Sequence, residues 1–326
     1  MKAHNFFTGL LLACLLLCLP GCSAEEESVR PDLVLGVMPS MDYLPLAVAQ
    51  REGYFKELGL TVQLHKFYSA NERDAAFQSG NVDGVVIDYT GALLQKAGGV
   101  DLRLTSRCDA PFYIIASANS GITSPRGLKG AEIAVSRNTV IDYCVDMALE
   151  SAGIGPEAAR KIEINKIPLR YEMLRNGRID ATGLPNPLAL LAAHGGDTVL
   201  TSNTELGFSI TGIMFSGRAL ADKPEQLRKF YRAYDRGVRY LAEHGPAEVA
   251  DILKRDLGFT DEILPLIGRS GLAGQGPAAL PVYSAAALPS EADLNRAAGW
   301  LIRKGLMADD FDYAAITDGR FLDGAE

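Results

Sequence analysis

Short apolar, β-branched runs alternate with helical patterns from residue 33 to residue 216 of this chain. LVLGV (33–37) is typical of a strand, YLPLAVAQREGYF (43–55) of a helix, and VDGVVID (82–88) of a buried strand. The alternation ends with SITGIMFS (209–216), and long amphipathic helices begin at Pro224. Repeated strand and helix units of this length favour sheets covered by helices on both faces. The predicted fold class is therefore α/β, with a helical C-terminal third.

Length and charge limit the architecture and the kinds of partner. The chain has 326 residues and a formal net charge of −8. At roughly 150 residues per domain, this length predicts two compact lobes. An acidic chain lacks the basic surface that nucleic acids and anionic membranes require, so we expect no nucleic-acid partner. A small molecule or another protein fits this charge better.

The N-terminus has the features of an export signal. Lys2 precedes an apolar stretch over residues 6–20, which is shorter than the roughly 20 residues that a membrane span needs. A charged start, an apolar centre and small residues after it are typical of a secretory signal peptide. We therefore expect the mature protein to be exported to the periplasm or the cell surface.

The residues after the apolar stretch indicate how the protein is attached. LPGC (19–22) resembles the lipobox of bacterial lipoproteins, in which the cysteine is lipidated before cleavage. The resemblance implies that residues 1–21 are a lipoprotein signal peptide and that Cys22 carries the lipid. A plain secretory signal cleaved nearby is the alternative. The acidic, serine-containing stretch over 22–31 then forms a tether between the membrane and the folded body.

Only two cysteines, Cys108 and Cys144, lie beyond this region. A disulfide between them is possible in an oxidising compartment. Nothing in the sequence brings them to bonding distance, so we expect buried free thiols.

Five segments of the mature chain together point to a known family. They are VMPSMDYLPLAVAQREGYFKELGLTVQL (37–64), AAFQSGNVDGVVID (75–88), GLKGAEIAV (127–135), MLRNGRIDATGLPNP (173–187) and LPSEADLNRAAGWLIRKGL (288–306). In this order and spacing the chain resembles the periplasmic solute-binding proteins of ABC importers for nitrate, sulfonates, taurine and thiamine-pyrimidine precursors.

The resemblance implies a two-lobed, type II-like periplasmic-binding-protein clamshell whose lobes are joined by two crossing strands, PFYIIAS (111–117) and SITGIMFS (209–216). Lobe 1 would comprise residues 32–112 and 215–326, and lobe 2 residues 113–214. The implied function is that of a monomeric, lipid-anchored receptor. It captures a small organic ligand between the lobes and delivers it to an ABC permease, without a cofactor or a metal ion.

Ligands of open α/β sheets lie beyond the carboxyl ends of the strands, at helix N-termini with unpaired N–H groups. Four loops of this chain have that position: 39–43, 88–90, 136–139 and 184–187. The candidate ligand-binding residues in these loops are Ser40, Asp42, Tyr43, Asp88, Tyr89, Thr90, Asn138, Thr139 and Asn186.

Each candidate has an ordinary structural alternative. Ser40 or Asp42 can cap the following helix, and Asn138 or Thr139 can do the same for theirs. Asp88 follows a buried strand, so its carboxylate either caps the next helix or meets a donor on the ligand. The two tyrosines are either packing aromatics or part of a pocket that buries a small ring.

Acidic residues bear on the choice of ligand. Four aspartates lie in or beside the predicted cleft loops: Asp42, Asp88, Asp109 and Asp142. Fixed negative charge opposes an anion, so this count favours an aminopyrimidine-like ligand over a sulfonate or nitrate. Leu184 and Pro185 stand where taurine-type proteins place an aromatic wall, which points the same way. Asp109 has a second interpretation, as the partner of Arg107 in a hinge ion pair.

Relatives of this fold also include enzymes of thiamine-pyrimidine and menaquinone synthesis, so catalysis must be considered. The Cys-rich signature of the pyrimidine synthases is missing, as are the HExxH, GxSxG, P-loop and CxxC motifs. We therefore expect a binding protein without catalytic residues. An exported clamshell that signals to a membrane partner, or a catalytic member of the fold, is the alternative.

Overall fold

The computed structural model describes residues 31–268, 276, 277, 279–309 and 311–322. The predicted signal peptide, Cys22 and all of the tether before Pro31 lie outside the described residues. Among the helices within these ranges, none has the length and apolar character that crossing a membrane requires.

Two five-stranded mixed sheets form the framework. The first has the order β2-β1-β3-β10-β4, and its strands are β1 Leu33–Val37, β2 Val62–Lys66, β3 Gly84–Asp88, β4 Leu102–Arg107 and β10 Thr211–Ser216. β1 pairs in parallel with β2 and β3, whereas β10 is antiparallel to β3 and β4. All five residues of β3 are buried, as its apolar run predicts.

The second sheet repeats this arrangement. Its order is β7-β6-β8-β5-β9, with β5 Phe112–Ala116, β6 Glu132–Val135, β7 Arg160–Glu163, β8 Ala181–Pro185 and β9 Thr198–Ser202. β6 pairs in parallel with β7 and β8, and β5 is antiparallel to β8. The β-branched residues of KIEINKI (161–167) predict a strand over that whole segment, but β7 ends at Glu163.

Helices cover the sheets, so the predicted α/β class is confirmed. Eight of those in the described residues lie among the strands, and all but α2, which follows α1, come after a strand: α1 Leu44–Arg51, α2 Tyr54–Glu57, α3 Ala70–Gln78, α4 Tyr89–Ala97, α5 Val140–Ser151, α6 Ile167–Arg175, α7 Leu188–His194 and α8 Gly217–Asp222. The remaining four form the C-terminal part: α9 Pro224–Glu243, α10 Ala250–Leu257, α11 Glu291–Arg303 and α12 Tyr313–Ile316. The core consists of buried apolar clusters beneath these helices.

The chain passes between the sheets twice. It leaves the first sheet after Arg107 and enters the second at Phe112; it leaves the second after Ser202 and returns at Thr211. β10 lies wholly in the first sheet, so residues 211–214 belong to that sheet, although the predicted boundary assigns them to lobe 2. The exact lobe boundaries stay a prediction.

Helix α11, in the C-terminal part, is held against α5, which follows β6 of the second sheet. Ser290 caps it by accepting a hydrogen bond from the Asp293 amide, as the SEAD pattern predicts. Trp300 Nε1 donates to Asp146 of α5 over 2.9 Å, and Lys304 Nζ lies 2.6 Å from Asp142. These contacts fix α11 against the first turns of α5.

Helix α9 packs closely on α1 at a glycine. A Cβ added to Gly237 would overlap the carbonyl oxygen of Pro45, whereas one added to Gly299 of α11 would meet only Arg303 Nη1 at 3.6 Å. We expect Gly237→Ala to lower the free energy of unfolding by about 1–3 kcal/mol, because a backbone must shift. Gly299→Ala is the matched control and should raise it by about 0.5–1 kcal/mol. Urea denaturation measures both, and equal effects of the two substitutions would contradict this packing.

Candidate functional site

A cavity lies between the two sheets, at the edge where their parallel strands end. From the first sheet it is lined by residues that follow β1 and β2 and by the last three residues of β3. From the second sheet it is lined by residues that follow β6 and β7 and by Pro185, the last residue of β8. Phe112 and Thr211, the first residues of β5 and β10, complete the wall. Their register partners are Pro185 and Asp88, so the antiparallel strands begin at the same edge. Each of the four predicted loops contributes to this one cavity.

The lining is half apolar and half polar. The cavity encloses about 550 Å³ of empty space, including its open mouth. The apolar lining residues are Met38, Ala70, Val86, Ile87, Phe112, Val140, Ile141, Ile167 and Pro185. The polar ones are Ser40, Asp42, Arg73, Asp88, Ser136, Thr139, Asn165, Arg170 and Thr211. Apolar walls with a few fixed polar groups are the usual composition of small-molecule sites.

Asp42 connects the cavity to both passes between the sheets. Its Oδ1 accepts from the Ala110 amide at 3.3 Å and from Thr211 Oγ1 at 3.0 Å, and its Oδ2 accepts from Ser40 Oγ at 3.2 Å. Ser40 also caps the 3₁₀ turn that follows it, by accepting from the Asp42 amide. Burial raises the pKa of the Asp42 carboxyl from 3.8 to about 7, although the hydrogen bonds and nearby Asp109 also act on it.

Asp88 and Arg73 neutralise each other on the first-sheet side. Asp88 Oδ1 accepts from the Gly91 amide at 2.8 Å, which caps α4, and also from Thr90 Oγ1. Its Oδ2 lies 3.5 Å from Arg73 Nη2, and Asp74 Oδ1 lies 2.8 Å from Arg73 Nε. The sequence left open whether Asp88 caps the next helix or meets a donor on the ligand. In the structure it caps α4, and its donors belong to the protein.

Arg170 of α6 lies on the second-sheet side without such a partner. It is 1% exposed, and no carboxylate of the described chain lies within ion-pair distance. Its Nη1 donates to the carbonyls of Ile164 and Asn165, at 2.9 and 3.4 Å, whereas its Nε has no partner. Burial lowers the pKa of Arg170 to about 10.

The chain matches a model of the "NMT1/THI5 like" family over residues 40–248, which include all of the lining residues except Met38. The chain belongs to the NMT1/THI5-like family. Among relatives, it is 22% identical over 252 residues to a putative aliphatic sulfonates-binding protein of Bacillus subtilis, covering 72% of this chain and 74% of the relative. It is 25% identical over 227 residues to the yeast 4-amino-5-hydroxymethyl-2-methylpyrimidine phosphate synthase THI13, covering 64% and 66%.

The same fold occurs in a solved structure. The periplasmic nitrate-binding protein NrtA from Synechocystis superposes with a TM-score of 0.72 at 15% identity, covering 87% of this chain and 84% of that one. The expected two-lobed periplasmic-binding-protein fold is therefore confirmed. The relatives and the structural neighbour are named for sulfonates, a pyrimidine product and nitrate, so these similarities alone do not choose a ligand.

Five of the nine candidate residues do not line the cavity of this family member. Tyr43 donates to the carbonyl of Asp256, and Tyr89 pairs with Ser209 at 3.3 Å. Thr90 donates to Asp88. Asn138 adopts a left-handed φ of 61° and donates its amide to Asp142, and Asn186 caps α7 and donates to Pro277. The other four, Ser40, Asp42, Asp88 and Thr139, do line it, and their contact with a ligand stays a prediction.

Two of the four aspartates that favoured an amino-bearing ligand do not line the cavity. Asp142 lies between Lys161 and Lys304, at 2.5 and 2.6 Å. Asp109 lies 3.4 Å from Arg107, in the ion pair that the sequence suggested, and its other oxygen accepts from the Ser284 amide at 2.7 Å. The count of acids therefore overstates the negative charge of the cavity.

Sequence reasoning missed Arg73, Asn165 and Arg170. KIEINKI (161–167) was interpreted as one strand, which concealed the loop after Glu163. Pro168 in the first turn of α6 is a helix-start signal that could have revealed this loop. Arg73 carries no comparable signal, because an arginine in a polar helix is ordinarily solvent-exposed.

The raised pKa of Asp42 predicts a pH-dependent stability difference. A carboxyl whose pKa rises from 3.8 to about 7 on folding makes its full contribution to the free energy of unfolding below pH 4. This contribution is lost as the pH rises through 7, by up to about 4 kcal/mol. We expect Asp42→Asn, which keeps the acceptor for Ala110 and Thr211, to gain stability relative to the wild type between pH 4 and pH 7.5. Denaturation midpoints across this range measure the gain, and a difference that is independent of pH would contradict it.

Proposed function

We propose that this protein is an extracytoplasmic solute-binding receptor, anchored by a lipid on Cys22, that captures a small organic ligand and delivers it to an ABC permease. The observation that carries the proposal is the composition of the cavity wall. Loops at the carboxyl ends of both sheets and the first residues of both crossing strands surround a single space. A ligand there touches both halves of the fold at once. Family membership and the fold support this function.

The contacts suggest how ligand binding could be transmitted. A ligand that contacts both sheets stabilises the arrangement in which they approach each other, and so shifts an equilibrium between open and closed states. Asp42 holds both crossing segments from inside the cavity wall. Binding therefore acts on the passes where relative movement of the lobes must occur, and a permease can recognise the closed state.

We expect the chain from Ser23 onward to gain thermal stability with its ligand. At 100 times its Kd, a ligand contributes about 2.7 kcal/mol, which is a measurable shift of the melting temperature. Scanning fluorimetry with sulfonates, aminopyrimidines, flavins and nitrate would test this. Mass analysis of the recovered ligand distinguishes binding from turnover, and an altered mass would favour a catalytic member of the fold.

A cavity-filling variant gives this screen its control. Ala70 lines the cavity at the start of α3, whereas Ala75 is exposed on the same helix. Ala70→Trp should abolish the ligand-induced shift and Ala75→Trp should retain it. Failure of every compound class to stabilise the wild type, or equal responses of the two variants, would contradict the proposed site.

The lipid anchor requires a separate experiment. In bacteria supplied with a labelled fatty acid, the wild-type protein should be labelled and Cys22→Ala should not. Cys18→Ala is the matched control, because Cys18 would be removed with the signal peptide. Undiminished labelling of Cys22→Ala would show that Cys22 is not the lipidated residue.

A further inference from the structure

We propose that the ligand of this cavity is an organic acid. Its anionic group binds two features of the wall, the guanidinium of Arg170 in α6 and the N-terminus of α5. This inference rests on the proposed receptor function and adds the charge and the orientation of the ligand. A carboxylate or a sulfonate would satisfy the same site, because both present oxygen atoms that accept from a guanidinium.

Arg170 carries a buried charge that no carboxylate of the described residues compensates. A buried charge is costly unless it is paired. Nη1 is satisfied by two carbonyls, but carbonyls are neutral, and Nε has no partner. The same helix shows the usual solution, since Arg175 Nη1 lies 3.3 Å from the carboxylate of Asp197. The negative counter-charge that Arg170 lacks within the described protein can be supplied by a ligand, because Arg170 lines the cavity.

The N-terminus of α5 provides a second, independent attraction for an anion. This helix has twelve residues, and Val140 and Ile141 of its first turn line the cavity. Thr139, at the N-cap position, makes no side-chain cap and donates instead to the Ser136 carbonyl over 2.8 Å. First-turn amides lack intrahelical acceptors, and the helix dipole favours negative charge there.

One acid in the same turn must be accounted for. Asp142 is in the first turn of α5, and its Oδ2 accepts from the Asn138 amide at 3.0 Å. Its carboxylate lies between the Lys161 and Lys304 ammonium groups, which compensate its charge. Asp142 does not line the cavity, so the N-terminus of α5 stays open to the anionic group of the ligand.

The opposite side of the cavity does not compete for the anion. Arg73 is paired with Asp74 and Asp88, so its charge is already compensated. Apolar residues of both sheets, such as Val86, Ile87 and Phe112, also line the cavity. They suit the hydrocarbon part of the ligand, whereas a bare inorganic ion would leave them without contacts.

The experiment compares ligands with matched hydrocarbon chains and different heads. Alkanesulfonates, alkanoates, primary alcohols and alkylammonium ions of three to eight carbons are titrated into the chain from Ser23 onward by calorimetry. We expect the two acids to bind and the alcohol and ammonium to bind at least tenfold more weakly, because a charge-assisted hydrogen bond is lost. Stronger binding by sulfonate or by carboxylate then identifies the source of the anion.

Substitutions locate the binding group. Arg170→Gln retains a donor for the Ile164 carbonyl but loses the charge, so it should weaken acid binding about 10- to 100-fold. Arg170→Lys should recover part of this loss, whereas Arg175→Gln, on the same helix but outside the cavity, should change little. Binding of the alcohol should be the same in all three variants, which a merely structural effect of Arg170 would not give.

Two results would overturn the inference. If the ammonium or alcohol series binds as tightly as the acids, the ligand is not an acid, although the receptor function stands. If Arg170→Gln and Arg175→Gln weaken acid binding equally, Arg170 is not the binding group. Absence of binding by every head group contradicts the inference, and the wider screen of compound classes then decides whether the proposed function fails with it.

Discussion

The hydrogen bonds of the Asp42 carboxylate are the interactions on which the arrangement of the two sheets around the cavity most depends. A single oxygen, Oδ1, accepts hydrogen bonds from Ala110 and Thr211, which belong to the two passes of the chain between the sheets. The same side chain lines the cavity. Because burial opposes its ionisation, the group has few ways to stay solvated if these donors move away. The two passes and the wall of the cavity therefore share one side chain.

Charge is distributed unequally over the two sides of the cavity. On the first-sheet side, Asp88 is satisfied by Gly91, Thr90 and Arg73, so the polar groups compensate one another. On the second-sheet side, Ser136 donates to Asn165 at 2.9 Å, but buried Arg170 has no carboxylate partner among the described residues. Native proteins rarely leave such groups buried without a reason. A ligand that pairs with Arg170 would therefore gain the most binding free energy on the second-sheet side.

Patterns of apolar residues predicted the framework because strands and helix caps depend on local sequence. VDGVVID became the buried β3, and Ser290 caps α11 as its neighbours indicate. The βα loops were also correctly placed at the cavity, since the position of a loop follows from the strand before it. The side chains within the loops were harder to assign, because Asn186 and Thr90 satisfy nearby groups of the protein instead. Propensity alone does not distinguish a capping group from a ligand-binding group.

Charges were the least predictable feature, since their effect depends on partners distant in sequence. Asp142 is compensated by Lys304, 162 residues away, and Asp88 by Arg73, whose burial no helical pattern indicated. Counting acids near the loops therefore overstated the negative charge of the cleft, because Arg170 also lines it without a carboxylate partner among the described residues. Arg170 follows β7, the edge strand farthest from β5 and β9 in the second sheet. A change of residue there alters the charge of the cavity without touching the crossing segments or Asp42.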